Sequence, residues 1–512
     1  MAPMPTTHVS LSADPASDDG RYLALRARDA RFDGQFFTGV TSTGIYCRPV
    51  CAVRTPRREN CRFFTLAAQA ESAGFRPCLR CRPEVAPHAL AWSVQDACNI
   101  LVQQAVRLLD APDAWGDGQG THVADLAQRL GISDRHLRRI FEAALGVSPL
   151  QYLQTRRLLM AKQLLTDTRM PITQVALASG FASVRRFNAA FSQHYGLNPT
   201  QLRHAGSTQG AAHRGCVRLA YRPPFDVAAL LAFFAKRQFE GVECALPDEA
   251  VLRRTVRLQM GGQALTGWLS AHFDTARHLV LLETSDSLHP VLPQVIARVR
   301  AMLDLDADPV AINARLHAAF PESDGLRVPG AFDGFELAVR AVLGQQITVA
   351  AARTLGQRLV ERFGEPIATP WPELRRLFPA PAVLAHAEGD ALGQLGIVRQ
   401  RQAAIVALAR AVDCGQLVLH PGADVAATTT ALCALPGIGD WTAQYIALRA
   451  LRWPDAFPAG DVALHKALGV QGQKNPSRAA TELAAAWRPW RGYAVLRAWA
   501  AGSISAPSLQ KA

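Results

Sequence analysis

Residues 434–443 read Ala-Leu-Pro-Gly-Ile-Gly-Asp-Trp-Thr-Ala. Pro436, Gly437 and Gly439 predict a tight turn between two helices. A turn so poor in side chains lets its backbone N–H groups, and the N-terminus of the next helix, come close to a phosphate. This is a helix-hairpin-helix pattern, although any short αα-turn shares its chemistry. Downstream, Phe457-Pro-Ala-Gly-Asp461 opens another helix, Val462–Leu468, where Asp461 suits an N-cap. Residues 301–506 around these stretches read as helix after helix.

Upstream, Leu219–Arg237 begins strand-like and turns helical, and weak alternation follows around Val256–Leu269 and His278–Glu283. A small α+β domain over residues 214–300 is expected, with no function legible in it. From Ala338–Ala352 (AVRAVLGQQITVAAA) through Leu435–Leu451 and Trp487–Trp499 (WRPWRGYAVLRAW), the chain resembles the AlkA-type 3-methyladenine DNA glycosylases. The resemblance extends over residues 216–500. It implies that Asp461 is the carboxylate that stabilises positive charge on the sugar as the N-glycosidic bond breaks. It places Trp441, Tyr445 and Trp499 in the pocket of a flipped cationic base. By periodicity alone, all three could be core. Gly437, Gly439, Gln345 and Gln346 fall at DNA-contacting positions, Gln346 where the family carries an apolar wedge. Trp441 stands where strand-cleaving relatives carry a lysine, which implies a monofunctional enzyme.

Two further helix pairs lie nearer the N-terminus. Val123, Leu126, Ala127 and Leu130 form one stripe, Gly131-Ile132-Ser133 breaks it, and a helix from Asp134 turns Arg135, Arg138 and Arg139 outward. The pattern recurs with Ile172, Val175 and Ala176, the turn Ser179-Gly180-Phe181, and a helix whose outer face holds Ser183, Arg185, Arg186 and Asn188. A basic helix, Pro149–Asp167, joins them. A helical bundle would show the same stripes, but the pair resembles an AraC-type DNA-binding domain over residues 90–205. That implies two helices in successive major grooves, with arginines reading base edges.

Four of the ten cysteines come as two close pairs, Cys47/Cys51 and Cys78/Cys81. The spacing suits a tetrahedral zinc site, and a purely structural one fits it equally well. Thr43–Phe64 and Ala73–Glu84 resemble the N-terminal domain of the Ada alkylation-response proteins, over residues 21–85. The resemblance makes the four cysteines ligands of one zinc ion and Cys47 the acceptor of a methyl group from a DNA methylphosphotriester. A thiolate is the nucleophile such a transfer needs. Methylation would take the site from about −2 to about −1 and tighten binding to a polyanion. Arg48, Arg54, Arg57, Arg58 and Arg80 are candidate phosphate contacts. Cys61 reads as a packed core thiol.

The chain has 512 residues and a formal charge of +13. Residues 43–83 hold eight arginines against two acids, while residues 211–512 are close to balanced, with 31 basic and 26 acidic residues. Such clustering suits a polyanion binder, or a merely solvated basic face. No apolar run is long enough to span a membrane, and Met1–Gly20 lacks the features of a signal peptide. No Pro-Cys-His-Arg stretch, the acceptor signature for methyl groups on guanine, occurs.

The expected fold is multidomain and mainly α. A disordered segment, 1–20, precedes a zinc-bound α+β domain, 21–85, and an AraC-type double helix-turn-helix, 90–205. A linker, 206–213, then leads to the α+β domain, 214–300, and an all-α helix-hairpin-helix glycosylase domain, 301–506. The expected protein is a cytoplasmic, nucleoid-associated monomer. It would bind double-stranded DNA, contact RNA polymerase and hold one zinc ion. A regulator that recognises damage without chemistry, or an enzyme with a purely structural zinc, remains open on the residues alone.

Overall fold

The computed structural model describes residues 17–88, 97–110, 123–207, 215–387 and 390–501. The helix Asp18–Ala27 begins within the segment expected to be disordered, and Ser17 caps it by accepting from the Gly20 amide at 3.0 Å. Residues 1–16, most of the segment expected to be disordered, lie outside the described residues.

Four short strands follow: β1 (Phe37–Val40), β2 (Ile45–Cys47), β3 (Cys61–Phe64) and β4 (Arg76–Pro77). They form one sheet in the order β3-β1-β2-β4, with β2 and β4 parallel. Phe37, Tyr46, Ala70 and Phe75 fill its core. Gly39 is required there, since a Cβ would sit 2.9 Å from Phe64 and 3.0 Å from Phe75. Cys61 is buried, and its Sγ contacts the Arg57 carbonyl at 3.3 Å.

Both helix-turn-helix units form as their stripes predict. Val123–Arg129 and Asp134–Leu145 flank Gly131 at φ +69°; Ile172–Ala178 and Val184–Tyr195 flank Gly180 at φ +79°. The helix between the units, Pro149–Asp167, starts at a Ser148/Gln151 capping box. The first unit packs around Leu126, Leu137, Phe141 and Leu153, in a cluster that also takes in Ala68 of the cysteine domain. The second packs onto the domain that follows it. Leu164, Val175, Phe187 and Phe191 belong to one cluster with Val217, Leu252, Leu282, Leu288 and Val295 of the following domain. The helix Pro199–Ser207 reaches into the expected linker, and residues 208–214 lie outside the described residues, as does the Gly/Asp-rich stretch 117–120.

The α+β domain is a five-stranded antiparallel sheet of β5 (Val217–Ala220), β6 (Glu243–Leu246), β7 (Val251–Met260), β8 (Gln263–Asp274) and β9 (Leu279–Thr284). Their order is β5-β9-β8-β7-β6. The stretch 256–269, read as one weakly alternating segment, is divided by a hairpin. Gly261 and Gly262, at φ +56° and +79°, adopt the left-handed pair that a two-residue turn needs. The domain's core continues past residue 300 through Met302, Leu305 and Phe332. The helical remainder packs around two centres, one holding Leu448, Leu464, Tyr493 and Val495, the other Ala338, Val342, Ile405 and Ile446.

Polar groups seal the joints between domains. Asp167, at the end of the long helix, accepts from Arg82 of the cysteine domain at 2.6 Å and from the Arg218 amide of β5 at 3.2 Å. Arg222 has no exposed surface, and donates to carbonyls of Asp33 (2.7 Å), His88 (2.9 Å), Asp306 (2.9 Å) and Ala307 (3.1 Å). Removing one partner of a buried ion pair leaves an uncompensated charge. Asp167→Ala should therefore cost about 3 kcal/mol and separate the melting of the cysteine domain from that of the sheet domain. Differential scanning calorimetry should then resolve two transitions for the variant and a single one for the wild type.

Candidate functional site

Parallel pairing of β2 with β4 matches Tyr46 to Pro77, so the next residues along, Cys47 and Cys78, emerge side by side. The Cys78 amide donates to the Tyr46 carbonyl at 3.0 Å, and the Arg48 amide donates to Cys81 Sγ at 3.3 Å. All four Sγ atoms of Cys47, Cys51, Cys78 and Cys81 lie within 4.8 Å of one another. Tetrahedral ligation at about 2.3 Å would set sulfurs about 3.8 Å apart, so the cluster fits a zinc ion. Its own chemistry points the same way. Hydrogen bonds among the sulfurs, that between Cys47 and Cys51 foremost, push Cys47 up and Cys51 down; Cys78 is pushed down and Cys81 up. Four crowded thiols cannot all ionise unaided, and a bound dication lets all of them do so.

One arginine proposed to meet phosphate is elsewhere. Arg48 is buried, its guanidinium paired with Asp33 and donating to the Cys81 carbonyl at 3.0 Å. It braces the cysteine loop from inside. Arg54, Arg57 and Arg80 are exposed, and Arg58 lies half-buried over Phe63, bonded to Asp19 at 3.0 Å. On the helix-turn-helix units, Arg135, Arg138, Arg139, Arg185, Arg186 and Asn188 are all exposed. Ser183 is instead an N-cap, accepting from the Arg186 amide at 3.3 Å.

The second site lies where the hairpin meets Asp461. Asp461 caps the helix Val462–Ala467, its Oδ1 accepting from the Leu464 amide at 2.6 Å. The same carboxylate accepts from Trp441 Nε1 at 2.7 Å and Trp499 Nε1 at 3.0 Å. One side chain therefore caps a helix and holds two indole N–H groups. Trp441 and Tyr445 stand parallel, with ring centres 5.3 Å apart and planes 9° apart, and Trp499 is tilted to Tyr445 at 6.3 Å. These three rings and Asp461 line a cavity of about 590 Å³. Its size suits a small-molecule or base-sized guest.

The hairpin joins the helices Val425–Cys433 and Asp440–Arg449. Gly437 is at φ +73°, and a Cβ there would come 3.2 Å from Ala404. A Cβ at Gly439, which precedes a helix with no side-chain cap, would meet open space. The turn can therefore admit an anion to the helix N-terminus. Gln345 and Gln346 divide their work. Gln345 Nε2 donates to the Gly437 carbonyl at 2.9 Å and to Thr442 Oγ1 at 3.0 Å, bracing the hairpin. Gln346 is exposed at φ +54°, a conformation sparsely used by residues other than glycine and typical of functional turns.

Arg449 escaped the sequence reading. It donates to the Tyr445 hydroxyl from one helical turn further on, a spacing that could have drawn attention to it. Asp33, the partner of Arg48, carried no signal.

A four-sulfur metal site, two helix-turn-helix units and a carboxylate in an aromatic cavity beside a hairpin define a class of protein that joins a DNA-binding regulator to a base-excision glycosylase. Residues 20–84 match the metal binding domain of Ada, 126–205 a helix-turn-helix domain, 216–333 the AlkA N-terminal domain and 339–491 the HhH-GPD superfamily of base excision DNA repair proteins. A Mycobacterium tuberculosis protein named "Probable bifunctional transcriptional activator/DNA repair enzyme AlkA" is 38% identical over 489 residues, covering 93% of this chain and 95% of the relative. The chain belongs to this AlkA/Ada family of bifunctional regulator–glycosylases. Escherichia coli DNA-3-methyladenine glycosylase 2 is 34% identical over 55% of this chain and 95% of its own length. The E. coli bifunctional transcriptional activator/DNA repair enzyme Ada is 34% identical over 37% of this chain and 50% of its own length.

Two outcomes follow from this geometry. Trp441→Phe keeps an aromatic ring but removes one N–H that holds Asp461, and should lower single-turnover excision on the order of 10-fold or more. Chelation under denaturing conditions should release one zinc per chain, read by a colorimetric indicator; Cys51→Ser should release much less.

Proposed function

We propose that the chain reads and repairs alkylated DNA with two separate chemistries. The observation that carries the repair half is Asp461, held by three N–H groups at the wall of an aromatic cavity. Its carboxylate stabilises positive charge building on the deoxyribose as the C1′–N bond lengthens. Trp441, Tyr445 and Trp499 take the flipped base, their faces favouring a cationic alkylpurine. Such a base leaves neutral, so departure needs little acid catalysis. The hairpin's backbone, through Gly437 and Gly439, holds the phosphates, and Gln346, exposed at its turn, enters the gap in the stack. With Trp441 in place of a lysine, the reaction ends at base release.

The sensing half rests on the four-sulfur cluster. Zinc, when bound, keeps the sulfurs as thiolates at neutral pH. Cys47 Sγ attacks the methyl carbon of a phosphotriester; the S–C bond forms, the C–O bond breaks, and the phosphate oxygen keeps the electron pair. The site then carries one negative charge fewer beside DNA, and binding tightens. Arg54, Arg57, Arg58 and Arg80 supply the phosphate contacts. Arg135, Arg138 and Arg139 on one helix, and Arg185, Arg186 and Asn188 on the other, read promoter DNA. One chain carries both groove-reading helices, which supports action as a monomer. At promoters in the nucleoid, the bound protein contacts RNA polymerase and activates repair genes. Among the described residues no helix is long and apolar enough to cross a membrane.

Separate substitutions test the halves. Asp461→Asn should cut release of 3-methyladenine on the order of 10²-fold or more while leaving promoter induction intact; undiminished release removes Asp461 from its role. Cys47→Ala should abolish induction and leave excision unchanged. After incubation with methylated DNA, mass spectrometry should find about +14 Da on Cys47, one methyl for one proton.

A further inference from the structure

The helix Ala67–Ser72 of the cysteine domain meets the C-terminal ends of both groove-reading helices. Those two helices stop alike, at Gly146 (φ +67°) and Gly196 (φ +66°). At the first, Gln69 Nε2 donates to the Leu145 carbonyl at 2.9 Å, one of the carbonyls that a helix end leaves without an internal partner. Gln69 Oε1 is held in turn by the Thr65 and Leu66 amides, at 3.0 and 3.1 Å. At the second, the Glu71 carboxylate lies 2.7 Å from His194 Nε2, in the last turn. Burial pushes the His194 pKa down, but Glu71 outweighs it and holds the ring above its usual value. A cation there also suits the C-terminal end of the helix dipole. Both joints are close. A Cβ on Gly146 would lie 3.6 Å from Gln69 Nε2, and one on Gly196 3.2 Å from Arg76 Nη1.

Glu71 has two further partners. Its buried carboxylate accepts from the Tyr46 hydroxyl at 2.9 Å and from Thr155 Oγ1 at 2.6 Å. Tyr46 precedes Cys47 on β2, and Thr155 sits on the helix that joins the two helix-turn-helix units. Three elements besides its own therefore meet at one side chain. Burying a carboxylate is costly unless its oxygens stay bonded, which holds each partner in place. The two units otherwise pack in separate hydrophobic clusters along the joining helix. Gln69 and Glu71 add a second connection from the side, and this turns a single linkage into a closed frame.

We propose that the helix Ala67–Ser72 sets the spacing at which the two helix-turn-helix units read DNA, with Gln69 and Glu71 as its positioning residues. Two units held at one separation bind the matching DNA spacing with the full gain of linkage. A loosely joined pair binds several spacings, each with less gain. The proposal rests on the promoter-reading assignment above. It makes the cysteine domain part of the frame that reads sequence, and Tyr46 brings the strand carrying Cys47 into the same joint.

The test uses full-length, zinc-loaded protein and a duplex selected from random sequence by the wild type, its two contacted segments located by footprinting. One base pair added between the segments moves the second by about 3.4 Å along the axis and about 35° around it. That should weaken wild-type binding on the order of 10²-fold. Glu71→Leu should bind the selected duplex on the order of 10-fold more weakly, and lose no more than about 3-fold further on the added pair. Gln69→Leu should shift this ratio in the same direction. The ratio between spacings is the reading, because a lost DNA contact or partial unfolding lowers binding to both duplexes alike. Should Glu71→Leu fail to fold by thermal melting, His194→Ala decides, since it leaves Tyr46 and Thr155 on the carboxylate. His194→Gln, still able to donate to Glu71, should restore the wild-type ratio. An unchanged ratio in the folded variants, or a wild type indifferent to the added pair, would overturn the proposal. A wild type whose selected duplexes show one contacted segment or none would overturn the two-groove assignment itself.

Discussion

A guanidinium with no exposed surface holds three domains of this protein together. Arg222 leaves the first strand of the sheet domain and donates to backbone carbonyls of the cysteine domain, of its exit loop and of the helical domain. Burial pushes its pKa down, and nearby Asp308, Asp306 and Asp33 oppose that. A buried cation is tolerated only while its donors are satisfied. Each carbonyl must therefore stay where it is, which sets the placement of all three domains at once. Asp33 serves on both sides: its carbonyl meets Arg222, and its carboxylate holds Arg48 beside the cysteines. Close packing reinforces the joint, since Gly34 has no room for a Cβ against the Pro87 carbonyl and Arg222.

The same logic governs the excision site on a smaller scale. A carboxylate meant to meet positive charge must be aimed. Asp461 achieves this with donors of three origins: the helix it caps, the hairpin helix through Trp441 and the C-terminal helix through Trp499. The aromatic rings that line the cavity are thus also the groups that orient the carboxylate. The cysteine cluster differs, because its geometry comes from backbone pairing of β2 and β4 and one internal arginine.

Much of this was legible in local patterns. The cysteine spacings, both helix-turn-helix stripes, the glycines of the hairpin and the position of Asp461 are short-range features, and the structure forms each of them. Readings that depended on what a side chain meets fared differently. Arg48 looks like its exposed neighbours Arg54 and Arg57, and only the fold shows Asp33 waiting for it. Gln345 resembles a DNA contact in sequence, and in the fold its amide braces the hairpin. The break at Gly261–Gly262 is a local signal that the weak alternation around it obscured.

By itself, the sequence determined the list of parts: a four-thiol cluster, two DNA-reading helix pairs, a sheet domain and a hairpin with a carboxylate. Periodicity and ligand spacing suffice for that, because each part is built from residues near one another along the chain. Only the tertiary structure decided that the second helix-turn-helix unit shares its core with the sheet domain. It also decided that Arg449 and Arg237 face Asp461's cavity with no carboxylate partner among the described residues. Burial and charge pairing depend on contacts between residues far apart in sequence, and no local pattern encodes which of many similar arginines is left unpaired.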